Sequence, residues 1–374
     1  MAAPAQVTTL TASAQVTTMA APAQVTTLTA PAQGLLTQAE YNMSLETVSS
    51  IQIFVSIFGL IANIINIKTF LAMRAFGDGV TLTFLLLSVS DLFVCLYSAV
   101  ICVSTFLVAQ ESKWHSPLTT SQTIAYYFPV DPTFTSVLNH QIYQIFNLCT
   151  ILLTIYLAVA RCLCVLYPLK FRSNITVRTT LLVSVTFIVS SFGIRLPLMT
   201  HGGVSLKFDP RINATRYRFW VHPNRETIKD MLWVSVDAPV CVGAQITLSV
   251  CIVMMAKVLK AATKFRSGTS IANDSKSDQS KAKNKLSPKD ARIVKQLVLI
   301  SSIFIICNTP KLITFLATTV EPNFDFGKQY QNFYQLSIAV VVVFDTINSS
   351  ANILVYYFFN AKFRSILTNT ESVN

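Results

Sequence analysis

Seven long apolar stretches, near residues 51–73, 79–109, 137–160, 179–200, 231–256, 295–320 and 333–359, alternate with polar segments along the chain. Each reaches the roughly 20 residues that carry a helix across about 30 Å of hydrocarbon. Inside a bilayer no water satisfies backbone N–H and C=O groups, so such runs must form helices, which bond their own backbone. The pattern predicts an all-α protein, a seven-transmembrane helix bundle. Residues 360–367 alternate Lys362 and Arg364 with Phe363, Ile366 and Leu367. That suits a short amphipathic eighth helix at the interface, with a short tail at 368–374.

Residues 1–49 break the pattern. Ala-Gln-Val-Thr-Thr recurs, with Gln6, Gln15, Gln24 and Gln33 nine residues apart. Nine-residue repeats build β-helices only with Gly and Asp turns that are missing here. The Thr- and Ala-rich composition predicts a disordered tail instead. The start is neither basic nor compactly apolar, so it does not read as a secretory signal.

Composition changes the picture in one respect. Of 374 residues, 52% are hydrophobic and only 12% charged, against about 25% charged in an ordinary soluble domain. The excess apolar surface faces lipid. The formal charge of +12 is explained by its placement. Alternate connections put nineteen Lys and Arg on one side, eleven of them in the loop 257–295, and eight on the other; Arg195 and Lys311 lie within helices. By the positive-inside rule the N-terminus is extracellular and the C-terminus cytoplasmic. Nucleic acid is not needed to account for the charge. The triplets at Asn42 and Asn213 then fall outside as candidate N-glycosylation sites. The eight cysteines lie in or beside apolar runs, and the four histidines lie outside or at outer helix ends. Neither set has metal-ligand spacing. No phosphate-cradling Gly loop appears, so the reading is not an enzyme. Transporters of repeat architecture show paired broken helices, and no such pairing is visible.

Polar residues inside spans mark function by default, because burying them in lipid is costly. Here they form a series: Asn63, Asp91, Arg161, Asn308 before Pro310, Asn348 and Asn352. Gly59-Leu-Ile-Ala-Asn63, Leu86-Leu-Ser-Val-Ser-Asp91, Ala160-Arg161-Cys162 with Tyr167-Pro168-Leu169, Phe304-Ile-Ile-Cys-Asn308-Thr-Pro310, and Asn352-Ile-Leu-Val-Tyr356 with Phe363-Arg364 follow in order. Over residues 50–367 this resembles the rhodopsin-like (class A) G-protein-coupled receptors. The phrases around Cys162, Cys307 and Asn348 look like mollusc-type chemosensory receptors and FMRFamide-type neuropeptide receptors.

The resemblance implies a plasma-membrane receptor that binds an extracellular small molecule or peptide and activates a heterotrimeric G protein. Arg161, Asp290, Phe304, Asn308, Pro310 and Tyr356 would form the coupling and switch elements, with Asp290 a candidate partner for Arg161. Asp91, Thr150, Asn348 and Asn352, with Asn63 nearby, would converge at mid-membrane. They would hold either an allosteric sodium ion or a hydrated polar network; no other cofactor is implied. Tyr143, Asp237, Lys311, Asp345 and Thr346 are candidate ligand-pocket residues, and Arg195 resembles Asp237 in kind. Lys311 and Asp345 either meet a ligand or pair with each other. Tyr143 stands where amine receptors carry an acid, and Thr346 where opsins carry the retinal lysine, so both ligand classes are disfavoured. The chain departs from the family at Ala160 (usually an acid), Asn308 (usually tryptophan) and Ile353 (usually proline). It departs again at Ser136 (usually a disulfide cysteine). An alternative is a weakly coupling receptor-like protein that serves as scaffold or heteromer partner.

Overall fold

The structure is a computed structural model and describes residues 36–112, 131–167, 176–209, 214–268 and 288–368. Its first helix, α1 (Gln38–Ala72), starts well before the apolar run. Thr37 accepts from the Glu40 backbone N–H while the Glu40 carboxylate accepts from the Thr37 N–H. This capping box satisfies two donors that a helix start otherwise leaves orphaned. Residues 38–49 are therefore helical, which corrects the reading of everything before residue 50 as disordered tail. A cap, not an apolar period, begins the helix. The repeat lies outside the described residues.

Other starts follow the same logic. Asp78 accepts from Thr81 N and opens α2 (Gly79–Ser112). Asp131 accepts from Thr133 N and Phe134 N, with Pro132 in the first turn of α3 (Pro132–Leu166). Proline fits there because its missing N–H would have no partner anyway. Thr176 caps α4 (Val177–Thr200). An antiparallel hairpin follows, β1 (Gly202–Asp209) with β2 (Ala214–Val221), in a register that pairs Gly202 with Val221 and Asp209 with Ala214. Helix α5 comprises Arg225–Leu232, a π-helical turn over Trp233–Asp237, and Ala238–Gly268. Then come α6 (Pro288–Val320), α7 (Gln331–Phe359) and the short α8 (Ala361–Thr368). Helices α5 and α6 thus reach into the segment read as the 257–295 loop; residues 269–287 lie outside the described residues.

Helices α1 to α7 are each long and apolar enough to cross a bilayer. The chain is a multi-pass helical membrane protein. The most apolar window of α7 is 56% buried, and that of α4 only 22%. α7 therefore sits within the bundle and packs on α1, α2 and α6, whereas α4 stands at its rim. Leu182, Val185, Val189 and Leu196 of α4 are exposed, as lipid-facing side chains are in a bundle whose solvent is hydrocarbon.

Gly59 shows how closely α1, α2 and α7 approach. A Cβ built there would lie 2.3 Å from Ser350 Oγ and 2.4 Å from Cys95 Sγ. Small residues at helix crossings allow such contact. At the α8 end, Phe70, Phe84, Tyr356 and Phe363 enclose one another, with ring centroids 5.0–5.9 Å apart. Phe363 is fully buried among them and fastens α8 to the bundle.

Candidate functional site

Among the described residues, two polar constellations inside the bundle hold buried carboxylates. The first is centred on Asp91 of α2, which is fully buried. Thr150 Oγ1 of α3 donates to Asp91 Oδ1 at 3.0 Å, and Asn352 Nδ2 of α7 donates to Oδ2 at 2.8 Å. Thr150 also reaches Ser90 Oγ at 3.0 Å. Three helices thus share one carboxylate. Asn63 stands one step away: its amide donates to the carbonyls of Gly59 and Ser349, and to Asp91 it makes no direct bond. Asn348 is buried one turn before Asn352. The Ser349 hydroxyl, beside the carboxylate, makes no hydrogen bond of ordinary geometry. A hard cation takes carboxylate, hydroxyl and amide oxygens. The carboxylate with the Thr150 and Ser349 hydroxyls beside it is an oxygen donor set of the kind sodium takes.

The second constellation lies nearer the hairpin and contains two ion pairs. Asp345 of α7, 2% exposed, accepts at Oδ2 from Tyr143 Oη at 3.0 Å and Asn147 Nδ2 at 2.8 Å, both from α3. Lys311 Nζ of α6 stands 3.6 Å from the same oxygen. Of the two arrangements the sequence left open for Lys311 and Asp345, this structure adopts the mutual pair. Arg195 of α4 and Asp237 of α5 form the other pair, in direct contact. Asp237 is the last residue of the π turn. An inserted residue in the helix re-aims the side chains beside it, which is why such turns recur at functional sites.

These groups border a cleft of about 250 Å³, counting the open space at its mouth, lined by Gln144, Leu148, Ile151, Arg195, Asp237, Val240, Cys241 and Lys311. Of the residues picked from sequence, Arg195, Asp237 and Lys311 line it directly. Tyr143 and Asp345 stand behind Lys311. Thr346 does not join them: it is fully buried and faces Ser98 of α2, with 2.9 Å between the hydroxyls. There it extends a polar ladder of Gln52, Ser56 and Ser98 between α1, α2 and α7. Asn147 and Gln144 were missed. Asn147 lies on α3 four residues after Tyr143 and three before Thr150, the one signal that offered it; Gln144, beside Tyr143 in the chain, had none.

The hairpin is tied to the top of α3. While Asp131 Oδ1 caps that helix, its Oδ2 accepts from Phe219 N of β2 at 2.8 Å. Phe134 and Phe219 pack at 6.0 Å beneath this bond. Lys229 at the start of α5 pairs with Glu226 at 2.6 Å and with Asp325 in the α6–α7 connection at 3.7 Å. The hairpin itself was not foreseen. Val204, Leu206 and Phe208 alternate with Ser205 and Lys207, a period of two that marks strand.

At the opposite end, Arg161 is partly buried near the end of α3. Asp290 lies in the first turn of α6, but its side chain is outside the described residues, as is Asn213. Phe304 is buried in the main core. Asn308, one turn later, donates to the Phe304 carbonyl at 3.0 Å. Pro310 lies inside α6, where it removes a backbone hydrogen bond and favours bending. Gln245 of α5 donates to the Ile305 carbonyl at 3.2 Å, tying α5 to α6 just before that point. Tyr356 is sealed in the aromatic cluster. Asn42 stands in α1, its side-chain oxygen accepting from Gln38 Nε2 at 3.0 Å.

No family model and no curated protein matches this chain.

Proposed function

We propose that this protein is a ligand-activated receptor of the rhodopsin-like kind, lying in the plasma membrane with its hairpin end outside. In this reading it binds a small extracellular molecule or peptide and passes the signal to a heterotrimeric G protein at the α8 end. The observation that carries the reading is the convergence of Asp91, Thr150 and Asn352 from three helices on one buried carboxylate. A polar cleft above and a proline-weakened α6 beside it complete the arrangement. A purely structural bundle gains little from so many buried polar groups, since each costs free energy to remove from water.

The mechanism follows from the contacts. α6 is held to α7 by Lys311–Asp345 and to α5 by Gln245. A ligand in the cleft that alters the first tie shifts the population between two α6 positions. Arg161, near the inner end of α3, is the residue assigned to meet the G protein. Guanine-nucleotide exchange in membranes holding this chain tests the proposal. Ligand-driven exchange is expected, and Arg161→Ala should reduce it to background. Equal exchange with and without Arg161 would count against coupling through this residue.

Sodium at Asp91 would neutralise the buried carboxylate and hold α2, α3 and α7 together. The intact chain is expected to melt higher in sodium chloride than in choline chloride, and Asp91→Asn should remove the difference. Equal midpoints for the intact chain would leave a hydrated network as the account of Asp91.

Ala160, Asn308 and Ile353 favour a second reading, because each removes a group on which signalling in this family relies. That reading is a weakly coupling partner protein. It predicts ligand binding without nucleotide exchange.

A further inference from the structure

The two ion pairs bordering the cleft differ in kind. Arg195 and Asp237 are in direct contact. Lys311 and Asp345 stand 3.6 Å apart, well beyond the roughly 2.7–2.9 Å of a charge-assisted hydrogen bond. Asp345 does not depend on Lys311 for its position, because Tyr143 and Asn147 both bond its Oδ2. Lys311 carries its ammonium on a flexible four-carbon stem and lines the cleft. The pair therefore has one fixed anion and one movable cation, with the cation facing the space a ligand enters.

Charge then selects the ligand. The cleft and its backing hold two cations, Arg195 and Lys311, and two anions, Asp237 and Asp345. A ligand with only a carboxylate draws Lys311 away and leaves Asp345 buried without a cation. A ligand with only an ammonium does the reverse. Removing one partner of a buried pair is strongly unfavourable. A molecule bearing both charges replaces the pair without stranding either partner. Apart from the polar Gln144, the remaining lining, Leu148, Ile151, Val240 and Cys241, is apolar.

Resting on the receptor reading above, we infer that the cleft takes a free α-amino acid with an apolar side chain, which inserts between Lys311 and Asp345. Its carboxylate accepts from Lys311 Nζ and its ammonium donates to Asp345. Its side chain lies against Leu148, Ile151 and Val240. Insertion lengthens the α6–α7 tie one residue beyond Pro310, where α6 already lacks a backbone hydrogen bond. The bound amino acid thereby loosens α6.

Thermal unfolding of the full chain in lipid nanodiscs tests this without a G protein. The probes are the twenty common amino acids, then the amide and the N-acetyl derivative of whichever stabilise. Apolar amino acids are expected to raise the unfolding midpoint. Their amides, which lack the anion, and their N-acetyl forms, which lack the cation, should need at least about tenfold higher concentration. Lys311→Met and Asp345→Asn should lose the response, and Lys311→Arg should keep it. If Lys311→Met does not fold, the derivative series and Lys311→Arg still decide. No shift with any amino acid, an equal shift with the amides, or a full response in Lys311→Met would each overturn the inference. A midpoint shift with no nucleotide exchange would leave this site standing while the coupling proposal fails. Exchange driven by a ligand indifferent to Lys311 would do the opposite.

Discussion

Asp237→Ala is expected to destabilise the protein by about 3–5 kcal/mol, the usual cost of leaving one member of a buried ion pair behind. The Arg195 side chain is 5% exposed and that of Asp237 15%. Arg195 Nε already lacks a partner, so without Asp237 the guanidinium loses its charge-bearing contact. The loss should appear as a lower unfolding midpoint in detergent or nanodiscs. Arg195→Leu, which strands the carboxylate instead, should cost a similar amount. The double variant Arg195→Leu/Asp237→Leu should recover most of it, since apolar replacement of a buried pair is often neutral or favourable. A double-mutant cycle isolates the coupling between the two residues. If the single losses simply add in the double variant, the pair does not stabilise the α4–α5 junction.

Gly59→Val carries the second large effect. Even a methyl group at this position meets Ser350 Oγ at 2.3 Å, Cys95 Sγ at 2.4 Å and Ser350 Cβ at 3.3 Å. The serine hydroxyl can rotate away; its Cβ and the Cys95 sulfur leave little room on two sides. Overpacking of this kind costs about 1–3 kcal/mol and sometimes more, and a branched side chain belongs at the upper end. Forcing α1 outward would also break Asn63 Nδ2–Ser349 O at 3.0 Å and Ser350 Oγ–Val55 O at 3.3 Å. The variant should melt well below the parent, and adding Cys95→Ala and Ser350→Ala should restore part of the loss. An unchanged midpoint for Gly59→Val would mean that α1 is not held this close to α7.

Both effects concern residues whose types were visible in the sequence and whose partners were not. The seven spans were legible because a bilayer imposes one requirement on any segment that crosses it. The run must be apolar for about 20 residues and must bond its own backbone. That requirement is local, so composition along the chain suffices to read it. The eighth helix was legible for a related reason, since Phe363, Ile366 and Leu367 repeat with helical spacing while Lys362 and Arg364 supply charge beside them. The start of α1 was not, because Gln38–Ser50 is polar and its helix begins at a cap whose partners are two side chains three residues apart. The hairpin escaped because strand alternation in a short polar loop is a weak signal beside seven long apolar runs.

The sequence by itself determined that the chain crosses the membrane seven times, which residues are costly to bury, and that Asp91, Lys311 and Asp345 need partners. It left open what those partners are. Only the tertiary structure decided that Lys311 meets Asp345, that Arg195 meets Asp237, and that Thr346 turns toward Ser98 and away from the cleft. The physical reason is that helix rotation and the π turn at Trp233–Asp237 set where each side chain points. Those angles come from packing between helices, a non-local property to which many residues contribute and which no single stretch of sequence encodes.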